Sequence, residues 1–137
     1  MNEQAAAPRF NSTGDVVRDT TTDLTWTAKD AIDKDVTHEE AVAAVEALNA
    51  EKFSGFDDWR LPTVDELFML ADRSRYDPAI DTDFFPTCKS DWYWTSTDDA
   101  ASPSDYAWIV GFLYGFAFDG NRGDHNRVRA VRGPARQ

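Results

Sequence analysis

Asp58-Trp59-Arg60-Leu61-Pro62-Thr63-Val64-Asp65-Glu66-Leu67 lies near the middle of the chain and decides how the rest is read. Pro62 disfavours the helical region at the residue before it, which makes Leu61 extended and leaves Thr63 to cap a helix. Thr63 and Glu66 have the Thr-x-x-Glu spacing of a capping box, in which each side chain accepts a free amide hydrogen at a helix start. Val64, Leu67, Phe68 and Ala71 then supply the buried stripe of a short helix. The same form stands upstream in Thr37-His38-Glu39-Glu40, with Ala41, Ala44, Val45 and Leu48 after it on one helical face. Both helices are short and polar on the opposite face, so they are expected to lie on a sheet rather than form a bundle.

The flanks read as strands. From Arg9 to Thr27, Val16-Val17 and Leu24-Thr25-Trp26 are separated by the polar cluster Asp19 to Asp23, the pattern of a small hairpin. Lys29 to Asp35 is a charged loop. Asp77 to Lys89 contains Pro78 and Pro86 and carries Ile80, Phe84 and Phe85, so it is expected to pack over the core as a compact loop. Trp92 to Thr97 is rich in sheet formers. A second strand runs from Ala107 to Leu113, Gly115 breaks it, and Phe116 to Phe118 resume before a loop marked by Gly120, Asn121 and Gly123. Arg127-Val128-Arg129-Ala130-Val131-Arg132 closes the chain as a basic strand. No repeat or linker divides the sequence, which predicts one α+β domain over residues 9–133, with tails at 1–8 and 134–137.

Composition narrows the function. The chain has 137 residues, 42% of them hydrophobic and 13% aromatic, enough for one compact core and too many aromatics for a disordered segment. With 25 acidic against 14 basic residues the formal charge is −11, which argues against nucleic-acid binding and against an anionic membrane surface. No apolar run is long enough to span a bilayer, and Met1 to Pro8 lacks the regions of a secretory signal, so no membrane insertion is expected and the compartment stays open. Cys88 alone cannot form an internal disulfide, and with His38 and His125 it leaves too few ligands for a structural zinc.

Catalytic signatures are missing. There is no nucleophile elbow, phosphate loop or HExxH, and neither a catalytic residue nor a cofactor is expected. His38, in the first turn of a helix, reads as a solvated histidine, and Cys88 as a small buried apolar residue. Asp77, Asp81 and Asp83 read as a solvated acidic loop, with a calcium ion as the alternative.

The strand around Trp108 carries more information. If Trp108, Val110 and Phe112 point into the core, Ile109, Gly111 and Leu113 point out of the other face. With Tyr114, Phe116 and Phe118 they would form an exposed apolar patch of the kind that marks binding surfaces. The alternative is that both faces of the strand are buried, one of them beneath loops.

Three segments taken in order resemble a known family. They are Gly14 to Asp19 with Leu24-Thr25-Trp26; Asp58 to Thr63 with Glu66-Leu67; and Trp94 to Thr97, Ala107-Trp108, Gly115 and Arg127 to Gly133. The chain resembles the C-terminal domains of collagen-like bacterial surface proteins (Lcl C-terminal domain), a branch of the C-type lectin-like fold related to the formylglycine-generating enzymes. The resemblance implies two helices flanking a twisted antiparallel sheet, with the terminal strands brought together. It implies neither catalysis, since the active-site cysteine pair of those enzymes is absent, nor calcium-dependent sugar binding, since the motifs for it are absent.

Within that family the chain resembles the variable proteins of diversity-generating retroelements, whose adenine-directed mutagenesis rewrites surface codons near the C-terminus. Residues 107–132 look like such a variable region. Core-type residues Trp108, Val110, Phe112, Gly115, Arg127, Val128, Arg129 and Val131 alternate there with mixed ones. Asparagine codons ending in a pyrimidine mutate only to other pyrimidine-ending codons, which exclude Trp, Met, Gln, Lys and Glu. Ile109, Gly111, Leu113, Tyr114, Phe116, Phe118, Asp119, Asn121, Gly123, Asp124, His125 and Asn126 all obey this rule. They form the expected ligand-binding set, the apolar ones giving contact area and the polar ones specificity. The expected partner is an unknown protein or cell-surface ligand, the domain itself is expected on a virion or in a surface-displayed chain, and the oligomeric state is left open. The alternative is a non-diversified adhesion or oligomerisation domain.

Overall fold

The computed structural model describes residues 8–134, so the tails expected at 1–8 and 134–137 lie outside the described residues except for Pro8 and Pro134. Each helix begins where its capping box stands. Helix α1 spans His38–Ala50, with the Glu40 amide donating to Thr37 Oγ1 at 3.3 Å and the Thr37 amide to Glu40 Oε1 at 3.0 Å. Helix α2 spans Val64–Leu70, and the Thr63 amide donates to Glu66 Oε1 at 2.8 Å. Asp or Glu in each first turn also favours the helix start electrostatically.

The fold is α+β, and its antiparallel strands fall into two sheets. The expected N-terminal hairpin is β2 (Val16–Asp19) against β3 (Leu24–Thr27), with β1 (Phe10–Thr13) paired outside it. The second sheet has the order β4 (Trp92–Asp98), β5 (Tyr106–Gly111), β6 (Phe116–Asn121). Strand β7 is only Val131–Arg132 and pairs with β3, which brings the two ends of the domain together. The closing basic strand expected over 127–132 is therefore regular only in its last residues. Upstream the segment changes partner: Arg127 bridges Tyr93 of β4, and the Val128 carbonyl accepts from Ala31.

The central strand β5 is buried on both sides, which explains its nearly continuous apolar sequence. Val110 and Phe112 face one core with Leu67 and Leu70 of α2, Trp26 of β3, Tyr93, and Ile80 and Phe85 from the 77–89 loop. Ala107 and Ile109 face a second core with Val45 and Leu48 of α1, Trp59, Leu61 and Trp94. Trp108, expected inside, is half-buried. Cys88 is buried in the first core, as expected.

The segment from Asp58 to Leu67 joins these parts. Arg60 exchanges both backbone hydrogen bonds with Val131, at 2.9 and 3.0 Å. Its guanidinium meets Glu66 through two bonds of 2.8 Å, and Glu66 is almost wholly buried. Glu66 thus caps α2 and neutralises Arg60 together. A β-bulge between Trp94 and Asp98 turns β4 towards the same place, where Ser96 donates to the Pro62 carbonyl and Thr97 Oγ1 accepts the Val64 amide.

Candidate functional site

The β4-β5-β6 register sorts the expected binding residues into rungs. Trp92, Gly111 and Phe116 stand opposite one another, and Trp94, Ile109 and Phe118 form the next rung on the same face. The inner part of this face is covered: Trp94 is fully buried, its indole donating to the Val36 carbonyl at 2.8 Å, and Ile109 is 7% exposed. The outer part is open. Phe116 and Phe118 are 59% and 61% exposed, and Trp92 is 36% exposed. One sheet face is therefore core at one end and surface at the other.

The open end is extended by neighbouring rings. Trp92 and Phe118 meet edge to face at 6.1 Å between centroids, Tyr114 and Phe116 lie 6.1 Å apart, and Tyr76 stacks on Tyr114 at 6.4 Å. Tyr114 and Leu113 sit in the turn after β5, where Gly115 takes φ = +86° and so suits the left-handed position. The 77–89 loop holds that turn through the Asp77 amide on the Leu113 carbonyl and the Ala79 amide on the Phe112 carbonyl. Aromatic side chains lose little rotamer freedom on contact and offer large areas, which is why they anchor interfaces.

Of the twelve residues expected at the surface, Leu113, Tyr114, Phe116, Phe118, Asp119, Asn121, Gly123, Asp124 and His125 are exposed, and Asn126 is half-buried. Ile109 and Gly111 are corrections. Ile109 packs against Trp94 and Gly120 in the second core, and Gly111 is covered by the Trp92 indole. The register responsible for this is set by pairing between strands, which alternation within one strand does not reveal. Asp119 lies on the opposite face, across from Trp108, where a hydrogen bond with Asp99 holds its carboxyl above the ordinary range.

The polar part of the set, Asn121 to Asn126, is anchored from behind by His38. Contrary to the expectation of a solvated side chain, His38 is buried. Its Nε2 lies 3.0 Å from the Thr95 carbonyl, which only an N–H can satisfy, and so Nδ1 accepts from Arg122 Nη1 at 2.9 Å. The ring is thus neutral, and burial holds its pKa below the ordinary histidine value. Arg122 also pairs with Asp98 and donates to the Pro103 carbonyl, while its own carbonyl accepts the His38 amide.

At the base of the same segment, Arg127 contacts Asp30, Asp33 and Asp35 at 3.1–3.3 Å. Arg129 is fully buried, donates to the Thr27 carbonyl at 2.6 Å and lies over the Phe85 ring. Asp30 receives the Tyr93 hydroxyl at 2.7 Å as well as these cations, and burial pushes its carboxyl up against their pull. The basic character of the closing segment is therefore taken up by internal ion pairs.

Asp77, Asp81 and Asp83 do not converge. Asp77 accepts from Ser90, and Asp81 faces Arg75 and accepts the Asp83 amide. Among the described residues no group of three or more His, Cys, Asp or Glu could hold a metal ion, and no helix is long and apolar enough to cross a membrane. Sequence reasoning missed Trp92 and Tyr76. The alternation of Trp92, Tyr93 and Trp94 put Trp92 on the face of Trp94, but nothing in it said where the cover ends.

The Lcl C-terminal domain model matches residues 15–132, nearly the whole described structure. No curated protein matches the chain.

Proposed function

Because the chain belongs to the Lcl C-terminal domain family, which suggests a surface or adhesion-type module, we propose that it is a non-enzymatic ligand-binding display domain. Its scaffold is of the C-type lectin-like kind, and its contact surface is the open aromatic end of the β4-β5-β6 face together with the 121–126 loop. Its partner is a protein or cell-surface receptor. The carrying observation is the separation of side chains within residues 107–132. Val110, Phe112, Gly115, Val128, Arg129 and Val131 are buried, whereas nine of the twelve interleaved residues are exposed. Substitutions at exposed sites away from special features cost less than about 0.5 kcal/mol, so such a surface tolerates change while the buried set keeps the fold.

The same separation supports diversification by a retroelement. The test is to sequence the DNA flanking the gene. A near-copy of the codons for residues 107–132 that differs at adenines, beside a reverse transcriptase gene, is the expected result. Absence of both removes diversification and favours the non-diversified adhesion or oligomerisation domain. That second reading rests on the same exposed rings, which would then be covered by another copy. Light scattering at micromolar concentration separates the two, since a strictly monomeric chain has nothing covering them.

A further inference from the structure

The aromatic face contains a cleft whose chemistry is more specific than apolar contact. It has a volume of about 200 Å³ and is lined by Trp92, Gly111, Leu113, Tyr114 and Phe116, with Ser90 and Asp91 as the remaining wall. Gly111 makes it possible. A Cβ there would stand 2.9 Å from Cε3 and Cζ3 of Trp92 and 3.1 Å from Cδ2, so the indole lies against the strand backbone over an absent side chain.

The cleft's charge is one-sided. No Lys or Arg lines it. The Asp91 side chain is 58% exposed, and its ion-pair contact with Arg127 is long, at 3.9 Å, because that guanidinium sits closer to Asp30, Asp33 and Asp35. Behind the Ser90 wall a second carboxylate, that of Asp77, accepts the Ser90 hydroxyl at 2.7 Å. Ring faces carry negative potential and attract cations, more strongly where the cation is weakly hydrated. A cradle of three rings with a carboxylate at its rim and no cation of its own is complementary to an organic cation.

Resting on the reading of this face as the contact surface, we propose that the cleft takes an arginine side chain of a protein partner, its guanidinium stacked on the ring wall and paired with Asp91. Arginine fits better than lysine because its planar, weakly hydrated group both stacks and presents a fork of donors to a carboxylate. The chain's charge of −11 favours a basic partner surface during encounter as well.

The test uses the full chain, isotope-labelled, titrated with N-acetyl-arginine amide and with its neutral near-isostere N-acetyl-citrulline amide. The Trp92 indole signal is assigned by its loss in Trp92→Phe. Arginine amide is expected to shift the Trp92 and Gly111 signals with an affinity about five-fold above that of the citrulline compound, the ring faces and the Asp91 carboxylate each contributing about two-fold. Asp91→Asn, at an exposed site, should bring the two within about two-fold while leaving the spectrum otherwise native. Equal responses to both probes at those signals overturn the arginine assignment and leave the contact surface standing. No response to either also overturns it. The flanking-DNA test, which does not depend on the cleft, then judges the surface by itself.

Discussion

Ile109 and Phe118 face each other on one rung of the β5-β6 ladder, which makes them a paired test of where core ends and display surface begins. Ile109→Ala removes most of a side chain that is 7% exposed and touches Trp94 and the Gly120 backbone. Neighbours that are strand backbone and a fully buried indole cannot collapse into the gap, so the cost belongs in the middle of the range for such truncations, about 3 kcal/mol. Phe118→Ala removes a larger side chain from a site that is 61% exposed. Full burial of a phenylalanine is worth up to about 3 kcal/mol. With two-fifths of it covered, the loss is about 1 kcal/mol, including the edge-to-face contact with Trp92.

For a domain of 137 residues, melting moves by about 4 °C per kcal/mol. The expected shifts are therefore about 12 °C for Ile109→Ala and about 4 °C for Phe118→Ala, read by circular dichroism, with urea midpoints as the check at constant temperature. The larger side chain is expected to matter less. If Phe118→Ala costs as much as Ile109→Ala, the outer rungs are core, and the reading of this face as a binding surface fails.

Single contacts set three further outcomes. The pKa of His38 in the folded chain lies below its unfolded value, so its contribution is present above about pH 6.5 and is lost as pH falls through the folded value. The unfolding free energy from urea melts between pH 7.5 and pH 5 should fall by at most about 1.4 kcal/mol per pH unit from this residue, and His38→Gln should flatten that part of the profile. Arg60→Ala leaves Glu66 buried without its guanidinium and should cost about 3 kcal/mol in a chemical melt; the double variant Arg60→Met with Glu66→Leu should recover part of it. Gly111→Ala pushes the Trp92 indole off the strand; the expected readout is a red-shifted Trp fluorescence with a melting temperature lowered by only a few degrees, because the ring has solvent to move into.

The features legible in the sequence are local ones. Both helices are marked by Thr-x-x-Glu at their starts, and the N-terminal hairpin by its polar turn, because a capping box or a turn uses residues within a few positions of each other. His38 defeats a sequence reading for the opposite reason. Its partners, the Thr95 carbonyl and Arg122, are 57 and 84 residues away, and no first-turn pattern announces them. The closing basic strand is shorter than its sequence suggests, because Arg127 and Arg129 leave strand geometry to reach Asp30 and the Thr27 carbonyl. At the candidate site, alternation separates the two faces of β5 correctly, but both are covered along most of their length. Only the edge of the second core decides that Phe116 and Phe118 are surface while Ile109 is core, and that edge is a tertiary fact.

That edge also constrains any diversification. Pyrimidine-ending codons descended from asparagine encode few residues that suit a site like 109; most are polar or charged, or are glycine or proline. A polar group placed against Trp94 without a hydrogen-bonding partner costs roughly 1–3 kcal/mol beyond the lost packing, and domains of this size have only about 5–15 kcal/mol of stability in all. At 111 every outcome other than glycine meets the Trp92 ring. Diversifying these two codons would fill much of a repertoire with unfolded chains or dismantled clefts. A template copy shaped by this fold should therefore carry adenines at the codons for Leu113, Tyr114, Phe116, Phe118 and the exposed positions from 119 to 125, and none at the codons for 109 and 111. Adenines at 109 and 111 together with folded, expressed variants bearing Asn or Asp at 109 would refute the placement of Ile109 in the core and the scaffold reading built on it.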